Sequence, residues 1–392
     1  MNLAAKMTAD RRPQTADRRP QTADRRRVFC TLFGTGNVHL TKDIGLIPYG
    51  MHKYQGCDAF IATYVSGNFP NIKYVPGLRI EAIPKRTKKY DLDSFLWLIK
   101  NAKRIDVLNI YHMVMRTVMQ AFLFRVFNRK GKIYFKCDGC PTKNSGKSAK
   151  SKFRSIIKTI LGGWLVRNAD LVSTEFQENV EVLNREWGIK AVCVPNPVNP
   201  NEVRDFRPFS ERSSTIFTVG RLGTKQKATE ILLEAFVKIA DQIPDWTLKL
   251  AGPFAENIHI ADDFYKAHPE LRERVIFTGN ITDRDEMAEL YRDAKTFAFP
   301  SRHESFGIAL TEALAHGCFP VVSNIPASER LTQNFKYALA SEVDDIDGMA
   351  KNLLYACTHE SEIESLARQG RDHILEHCRL ERISHVIAQG LR

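Results

Sequence analysis

The sequence lacks any apolar run of the roughly 20 residues that a membrane-spanning helix needs, so no such helix is predicted. The N-terminus lacks the basic, apolar and small-residue order of a secretion signal, and no signal peptide is expected. The eight cysteines follow no framework spacing, which excludes a disulfide scaffold and is typical of a reducing compartment. These absences predict a cytoplasmic protein, and its 392 residues suffice for two ordinary domains.

Signals for metal, nucleic-acid and dinucleotide binding are also missing. Cys137 and Cys140 form one C-x-x-C without a second Cys or His pair, so we interpret them as packing or loop thiols and predict no metal site. No helix-turn-helix, zinc finger or RNA-binding aromatic motif occurs, which argues against a nucleic-acid partner. The segment GTGNVH (34–39) lacks the third glycine of G-x-G-x-x-G, which argues against a dinucleotide oxidoreductase.

Positive charge is concentrated in the first half of the chain. The net charge of +12 divides into 34 Lys and Arg against 15 Asp and Glu in residues 1–200, and 23 against 30 in residues 201–392. This asymmetry predicts that the two halves meet different partners. Residues 8–27 are a heptad-length tandem repeat without large apolar side chains. We therefore predict a disordered tail over 1–27 and a folded chain that begins near Val28.

Short apolar runs alternate with helical stretches through the rest of the chain, which predicts parallel sheets covered by helices. The expected fold class is α/β, with two doubly wound, Rossmann-like domains facing a cleft. The expected parts are a domain at 28–197, a Pro- and Asn-rich linker at 198–214, a domain at 215–372 and a helical segment at 373–392. The runs interpreted as strands are VFCTLFG (28–34), DAFIATYV (58–65), DVLNIYH (106–112), KIYFKCD (132–138), ADLVSTE (169–175), TIFTVG (215–220), WTLKLAG (246–252), VIFTGN (275–280), TFAFPS (296–301) and FPVVSN (319–324).

Two helix starts in the second half carry recognisable signals. In SRHESFGIALTEALAHGC (301–318), apolar residues at helical spacing follow a small corner, Ser305-Phe306-Gly307, and Gly317 is a natural stop. Upstream, Thr282 is predicted to cap another helix, with Asp285 as the acid of a capping box.

The polar residues of the second half follow its strands, at the edge where open α/β sheets bind ligands. The Ser305-Phe306-Gly307 corner presents backbone N–H groups at a helix start, an arrangement that binds phosphate. Arg221 and Lys227 belong to another loop at this edge and have the charge to neutralise a diphosphate without a metal. Asn280 follows a third strand there, and we predict that it contacts the same ligand.

Two carboxylates complete the predicted site. Glu312 can accept hydrogen bonds from both hydroxyls of a ribose. Glu304, beside the phosphate corner, can bind hydroxyl groups on whatever the diphosphate carries. Ribose, diphosphate and sugar together make a sugar nucleotide, which we therefore predict as the ligand.

Several stretches resemble a known family. VGRLGTKQKATEILLEAF, VIFTGNI and PSRHESFGIALTEALAHGCFPVV resemble the C-terminal domain of retaining glycosyltransferases of family 4, which have the two-domain GT-B fold. GTGNVHLTKDIG, DVLNIYH and NADLVSTE look like bacterial members that build surface polysaccharides. The resemblance implies a cofactor- and metal-free transfer from a nucleotide-diphosphate sugar, with retained anomeric configuration. The implied acceptor is lipid-linked or a saccharide, in envelope polysaccharide synthesis.

The resemblance also assigns roles to particular residues. The family's E-x7-E element is Glu304, which would hold the transferred sugar, and Glu312, which would hold the ribose. Arg221, Lys227 and the amides near Gly307 would stabilise the leaving diphosphate. Lys225 competes with Lys227 for this role, and Lys227 is preferred because KATEILLEAF aligns better with the helix start.

Assignments in the first domain leave alternatives open. The family often has a sugar-contacting histidine after the strand at DVLNIYH, for which His112 is the candidate. Tyr111 lies closer to the usual spacing, and His112 as a structural histidine at a strand end is a further interpretation. Gly36 belongs to a glycine corner that either approaches the donor phosphates or simply makes a turn. Lys42 and Asp138 have only their position to suggest contact with an acceptor.

Residues 125–160 hold eleven Lys and Arg and one acid. In SKFRSIIKTILGGWLVR (151–167), apolar residues repeat at helical spacing and most of the basic residues lie off that stripe. One interpretation is a basic amphipathic helix on an anionic membrane surface, with the protein peripheral on the inner face of the plasma membrane. The other is a helix that packs its stripe into the protein core.

Two other functions compete with glycosyl transfer. A sugar-nucleotide epimerase of the same architecture would use one substrate and no acceptor, and the set Arg221, Lys227, Glu304 and Glu312 argues against it. A protein that only binds a sugar nucleotide would not need so complete a set of charged residues. The nucleotide base, the sugar, the acceptor and the oligomeric state cannot be deduced from these residues.

Overall fold

The computed structural model describes residues 26–65, 67–137, 162–256 and 259–392. Seven parallel strands form the first sheet, in the order β3-β2-β1-β4-β5-β6-β7. The order reverses between β1 and β4, as in doubly wound folds. The strands are β1 (Val28–Leu32), β2 (Asp58–Thr63), β3 (Arg79–Ala82), β4 (Val107–Tyr111), β5 (Lys132–Cys137), β6 (Leu171–Thr174) and β7 (Val192–Cys193).

Helices cover both faces of this sheet, and each face has its own apolar core. The inner strands are buried on both sides, which is why they appear in the sequence as mostly apolar runs. The named helices between them are α1 (Asp43–Gln55), α2 (Tyr90–Asn101), α3 (Met115–Phe127) and α4 (Gln177–Trp187).

Six parallel strands form the second sheet, in the order β10-β9-β8-β11-β12-β13. Its strands are β8 (Ser213–Val219), β9 (Thr247–Ala251), β10 (Val275–Gly279), β11 (Ala294–Phe299), β12 (Phe319–Ser323) and β13 (Leu339–Ser341). Apolar cores again lie on both faces. The helices that follow β8 are α5 (Thr229–Ile239), α6 (Ile260–Ala267), α7 (Arg284–Asp293), α8 (Ile308–Ala315), α9 (Pro326–Leu331), α10 (Ile346–Thr358), α11 (Glu360–His377) and α12 (Leu380–Gly390).

The predicted class, two doubly wound α/β domains, is confirmed, and each of the ten predicted runs contains a strand. Three strands were not predicted: β3, β7 and β13, of two to four residues each, which lie at sheet edges. Each of them is too short to stand out in the sequence, and an edge strand is held mainly by backbone pairing with one neighbour.

The predicted cap of α7 is wrong by one residue. Asp283, not Thr282, is the N-cap, and its carboxylate accepts hydrogen bonds from the amides of Asp285 (2.8 Å) and Glu286 (3.4 Å). Asp and Thr both cap helices well, and Asp283 directly follows Thr282 in the sequence. Helix α8 begins directly after the predicted corner, at Ile308.

The last helix packs on the first domain. Leu380, Ile383 and Ile387 of α12 share an apolar cluster with residues of β1 and α1. The main chain at Val198 pairs with Arg379, so the linker runs alongside the segment that carries α12 back to the first domain.

Some predictions lie outside the described residues: residues 1–25 of the predicted tail, Asp138, Cys140, and residues 151–161 of the basic stretch 151–167. No described helix is long and apolar enough to cross a bilayer. In the described ranges, no group of three or more His, Cys, Asp or Glu side chains is arranged to hold a metal ion.

Candidate functional site

The candidate site lies at the carboxyl edge of the second sheet, where the strand order reverses between β8 and β11. The ends of β8 and β9 come into close contact here. Gly252 has φ +133°, and a Cβ at this position would lie 1.8 Å from the carbonyl oxygen of Gly220. A side chain at residue 252 would therefore force these two loops apart.

The corner between β11 and α8 has the backbone of an anion site. Gly307 is the N-cap of α8 with φ +97° and ψ 52°, and no side chain caps the helix. The N–H groups of the first turn are therefore left to bind an anion. Of the other corner residues, Ser305 is exposed, whereas Phe306 is buried and stacks on Phe176 of the first domain, with ring centroids 5.1 Å apart.

Lys227 and Glu304 meet at this corner from two different loops. The ammonium of Lys227 lies 2.5 Å from Oε1 of Glu304, and the hydroxyl of Ser301 donates to the same oxygen at 2.9 Å. Ala228, with φ +47°, is the last residue of the loop that carries Lys227 and is the N-cap of α5. The side chains of Lys227 and Glu304 are only 18% and 11% exposed, so the ion pair is partly shielded from water.

Arg221 is connected to the same corner through Gln226. Arg221 donates to the amide oxygen of Gln226 at 2.8 Å, and the amide nitrogen of Gln226 donates to the carbonyl of His303 at 3.0 Å. Arg302 donates from its guanidinium to the carbonyl of Lys225 at 2.6 Å. The loop after β8 is thus fixed against the loop after β11.

The two candidate lysines differ in their surroundings. Lys227 is directed at Glu304, whereas Lys225 is exposed and contributes its backbone carbonyl to Arg302. The alignment of Lys227 with the helix start agrees with this geometry, since α5 begins two residues later.

Glu312 has a different set of partners. It lies on α8, where Oε1 accepts from Nη2 of Arg284 at 2.5 Å and Oε2 accepts from the hydroxyl of Tyr291 at 3.1 Å. Arg284 also binds Glu202 of the linker at 2.7 and 3.1 Å. Arg284 and Tyr291 were not predicted from the sequence, although Arg284 is the first residue of α7, close after the end of β10.

Burial shifts the proton equilibria of this group. Burial and the negative charge of Glu312 raise the pKa of Tyr291 well above its usual value. Burial alone would lower the pKa of Arg284, but the carboxylates of Glu312 and Glu202 outweigh it and raise that pKa. Burial raises the pKa of Glu202, an effect that Arg284 partly offsets. Arg284 is thus held as a permanent cation between two acids.

His316 packs beneath the same group. Its ring stacks on Tyr291, with centroids 5.7 Å apart and planes 4° from parallel. Burial, and then the positive charge of Arg284, lower the pKa of His316 to about 3. His316 and Glu312 also line a pocket between the domains, which Lys42, Asp43, Asn196 and Glu202 complete from the first domain and the linker.

In the first domain, His112 rather than Tyr111 is at the surface. Tyr111 is fully buried and its hydroxyl donates to the carbonyl of Asp43 at 3.1 Å. His112 is half-buried after β4 with φ +61°, a conformation that non-glycine residues rarely adopt. Its carbonyl accepts from the hydroxyl of Thr117 at 2.6 Å, and its ring lies 5.6 Å from that of Phe33.

Gly36 and Asn280 are at two other loop positions. The amide of Gly36 donates to Nδ1 of His39 at 2.9 Å, so this N–H is engaged within its own loop. Burial and the charge of Lys42 lower the pKa of His39, which suits a neutral ring that accepts this bond. Asn280 is exposed just beyond the end of β10.

The four central candidates therefore form two groups. Lys227 contacts Glu304, and Arg221 is connected to their corner through Gln226. Glu312 is on the helix that starts from the corner but is bonded to Arg284 and Tyr291. The arrangement offers a cationic and amide-rich anion site beside a fixed carboxylate.

Comparison with known proteins finds a family match in the second domain and curated relatives over about half of the chain. Residues 213–359 match the family described as glycosyl transferases group 1. A phosphatidyl-myo-inositol mannosyltransferase from Mycolicibacterium smegmatis is 29% identical over 184 residues, 45% of this chain and 46% of the relative. A mannosylfructose-phosphate synthase from Agrobacterium fabrum is 25% identical over 228 residues, 53% of this chain and 49% of the relative. The chain thus spans about half the length of these curated relatives.

Solved structures resemble the whole fold. A glycosyltransferase from Rickettsia africae superimposes with a TM-score of 0.72 at 14% identity, over 93% of this chain and 98% of that protein. Anabaena HepE in complex with UDP gives a TM-score of 0.68 at 15% identity, over 94% and 99% of the two chains. At these identities the likeness establishes the fold, which is the GT-B arrangement of two parallel-sheet domains.

Proposed function

We propose that this chain, whose C-terminal domain belongs to the group 1 glycosyltransferases and whose fold is GT-B, transfers a sugar from a nucleotide-diphosphate sugar to an acceptor hydroxyl. The transfer retains the anomeric configuration and needs no metal ion. The observation that carries this proposal is the Lys227–Glu304 pair beside the uncapped start of α8. A cation, a carboxylate and a set of backbone amides meet there at a strand-end cleft.

The diphosphate is the leaving group, and negative charge grows on it as the sugar–oxygen bond breaks. The amides around Gly307 bind one phosphate, and Lys227 and Arg221 neutralise the growing charge. A single well-placed donor of this kind contributes about 2.7–4 kcal/mol to transition-state stabilisation. Glu304 exchanges its bond to Lys227 for hydroxyl groups of the transferred sugar when the donor binds.

The nucleoside occupies the other part of the cleft. Glu312 accepts from the ribose hydroxyls, and the exposed Asn280 at the end of β10 contacts the nucleoside. From the first domain, His112 contacts the sugar, and its positive φ of 61° is consistent with a backbone constrained for function. The glycine corner at Gly36 approaches the donor phosphates, and Lys42 contacts the acceptor.

The donor is a nucleotide-activated hexose. Solved neighbours were crystallised with UDP and with UDP-glucose, and the curated relatives include mannosyltransferases. UDP-glucose and GDP-mannose are therefore the first donors to test, followed by a thermal-shift screen of other nucleotide sugars.

The acceptor is lipid-linked or a saccharide, at the inner face of a bacterial plasma membrane, where the protein is cytoplasmic and peripheral. One relative acts, by its name, on phosphatidyl-myo-inositol. The outward face of α3 supports a membrane contact: Met115, Met119, Phe122 and Val126, spaced at helical intervals, are 56, 40, 49 and 52% exposed. Flotation with anionic and neutral liposomes tests this contact, and no binding to anionic vesicles at low salt refutes it.

Incubation of the full chain with each donor, with and without a membrane-lipid or oligosaccharide acceptor fraction, tests the reaction itself. Transfer releases the nucleoside diphosphate and lengthens the acceptor, and NMR of the product reports the anomeric configuration. An isomerised donor in the absence of acceptor identifies an epimerase, and nucleotide binding without turnover identifies a binding protein. Either result contradicts the proposal.

A further inference from the structure

Arg284 joins the proposed ribose-binding carboxylate to the interdomain linker. Its Nη2 donates to Glu312 at 2.5 Å and to Glu202 at 2.7 Å, and its Nε donates to Glu202 at 3.1 Å. The side chains of Arg284, Glu202 and Glu312 are only 19, 6 and 23% exposed. Charge-assisted bonds shielded in this way fix the orientation of the groups they join.

The carboxylate of Glu312 is held through both of its oxygens. Arg284 binds Oε1, and the hydroxyl of Tyr291 binds Oε2 at 3.1 Å. An ionised carboxylate has about four acceptor positions, so two remain after these bonds form. These bonds to Oε1 and Oε2 fix the plane of the carboxylate, and the two remaining acceptor positions of Glu312 lie in that plane.

The start of α7 is fixed from three sides. The carboxylate of Asp283 caps the helix, and Asp285 forms ion pairs at 2.9 Å with Lys73 of the first domain and with Arg204 of the linker. Arg284 lies between these two acids in the sequence. Its backbone is therefore held where the linker, the first domain and the second domain meet.

We propose that Arg284 is a positioning residue for the donor: it orients Glu312 so that its free lone pairs accept from both ribose hydroxyls of a nucleoside diphosphate. This inference rests on the proposed function, and Arg284 acts through Glu312 without touching the donor. Lysine cannot fully replace Arg284, because a single ammonium lacks the several N–H groups in one plane with which the guanidinium binds both Glu312 and Glu202.

Two other roles for Arg284 make different predictions. If Arg284 only attaches the linker to the second domain, its loss lowers stability and leaves ribose recognition unchanged. If Arg284 instead occupies the place of the ribose, its loss tightens nucleotide binding. The test must therefore report on the ribose hydroxyls rather than on overall affinity.

Isothermal titration calorimetry with UDP and GDP, each compared with its 2′,3′-dideoxy counterpart, supplies this measurement. The affinity ratio of each pair isolates the contribution of the hydroxyls. For the unmodified chain we expect a ratio of about ten or more for the preferred base, since hydrogen bonds to a charged group contribute strongly. Glu312→Gln and Arg284→Gln should each reduce the ratio to within about threefold of one, and Arg284→Lys should restore it in part.

Arg292→Gln is the matched control, because Arg292 is on the same helix and forms an ion pair with Glu289 at 3.3 Å. It should keep the full ratio. Where Arg284→Gln alone does not fold, the double variant Arg284→Gln with Glu202→Gln removes the buried charge left behind and is measured in the same way. The double variant Arg284→Gln with Glu312→Gln should lose no more of the ratio than either single change.

A ratio that persists in Arg284→Gln, or an Arg284→Gln variant that binds the nucleotides more tightly, overturns the inference and leaves the proposed function intact. An unmodified chain that binds neither UDP nor GDP, nor any nucleotide sugar of the thermal-shift screen, refutes the proposed function, and the inference with it.

Discussion

The ammonium of Lys227 lies 2.5 Å from Oε1 of Glu304, although the two residues are 77 positions apart in the chain. Both belong to loops at one edge of the second sheet, so the fold brings an acid and a base into contact beside the start of α8. Each therefore neutralises the charge of the other. A phosphate that binds there must compete with Glu304 for Lys227, and a sugar hydroxyl must compete with Lys227 for Glu304.

Replacement of Lys227 tests the diphosphate contact. We expect Lys227→Ala to lower kcat/KM by about 10²–10³, because removal of one donor to a developing oxyanion has an effect of this size. Lys225→Ala is the matched control, because Lys225 is exposed and only two positions from Lys227. The activity of this variant should stay within about twofold of that of the unmodified chain. Initial rates with the donor that supports transfer in the assay above measure both variants, and equal losses would contradict the assignment of Lys227.

Replacement of Glu304 should separate binding from turnover. In Glu304→Gln, Lys227 loses its ion-pair partner, and the negative charge nearest the phosphate corner is removed. We therefore expect UDP or GDP to bind a few-fold more tightly while sugar transfer falls by about 10² or more, because the transferred sugar loses a strong acceptor. Calorimetry and initial rates on one preparation give both values. Weaker nucleotide binding would argue against a contact between Lys227 and the phosphate.

Gly307 is required for its backbone conformation. A non-glycine residue with this left-handed backbone costs about 1–2 kcal/mol, and a Cβ here would lie 3.1 Å from Cδ1 of Leu331. We expect Gly307→Ala to lower the free energy of unfolding by this amount, measured by denaturant titration, and also to weaken nucleotide binding.

Gly188→Ala is the control for Gly307→Ala. Gly188 caps α4 with φ +65°, and a Cβ at this position would meet no atom within 4 Å. This variant should show a similar loss of stability but unchanged nucleotide binding. If Gly307→Ala binds nucleotide as well as Gly188→Ala does, the backbone at the corner is not part of the donor site.

The sequence predicted those parts of the fold that bury apolar surface. Strands such as β1 and β11 are enclosed on both faces and therefore appear as mostly apolar runs. The edge strand β3 could not be predicted, because its four residues RIEA are partly exposed and are held by backbone pairing with β2. Chain-local signals carry little information about such a segment.

The candidate site likewise contains residues that the sequence predicted and residues that it did not. Lys227, Glu304 and Gly307 are adjacent to strand ends and helix starts, and these are visible in the sequence. The role of Arg284 depends on Glu202, which lies 82 positions away in the linker, and on Glu312, 28 positions away. No local pattern connects these three residues. The functional assignments of all of them stay predictions until the variants are measured.

His316 should make the protein less stable in acid. Its pKa is about 3 in the folded chain because of burial and the charge of Arg284, compared with an ordinary value of 6.5. Below pH 6.5, His316 is protonated in the unfolded chain but stays neutral in the folded chain. The free energy of unfolding therefore falls by about 1.4 kcal/mol per pH unit until the pH approaches 3. We expect His316→Phe, which can keep the stacking on Tyr291, to remove this component of the pH dependence.

Denaturant unfolding at half-unit intervals from pH 7 to pH 4 measures the free energy of unfolding of His316→Phe and of the unmodified chain. As the pH falls, the variant should become the more stable of the two by a growing margin. The difference between the two chains matters because other titrating groups contribute equally to both. His385→Gln, at an exposed position of α12, is the control and should leave the slope unchanged. Parallel curves for His316→Phe and the unmodified chain would mean that the imidazole accepts a proton in the folded state, and that the ring is not buried against Tyr291 as described.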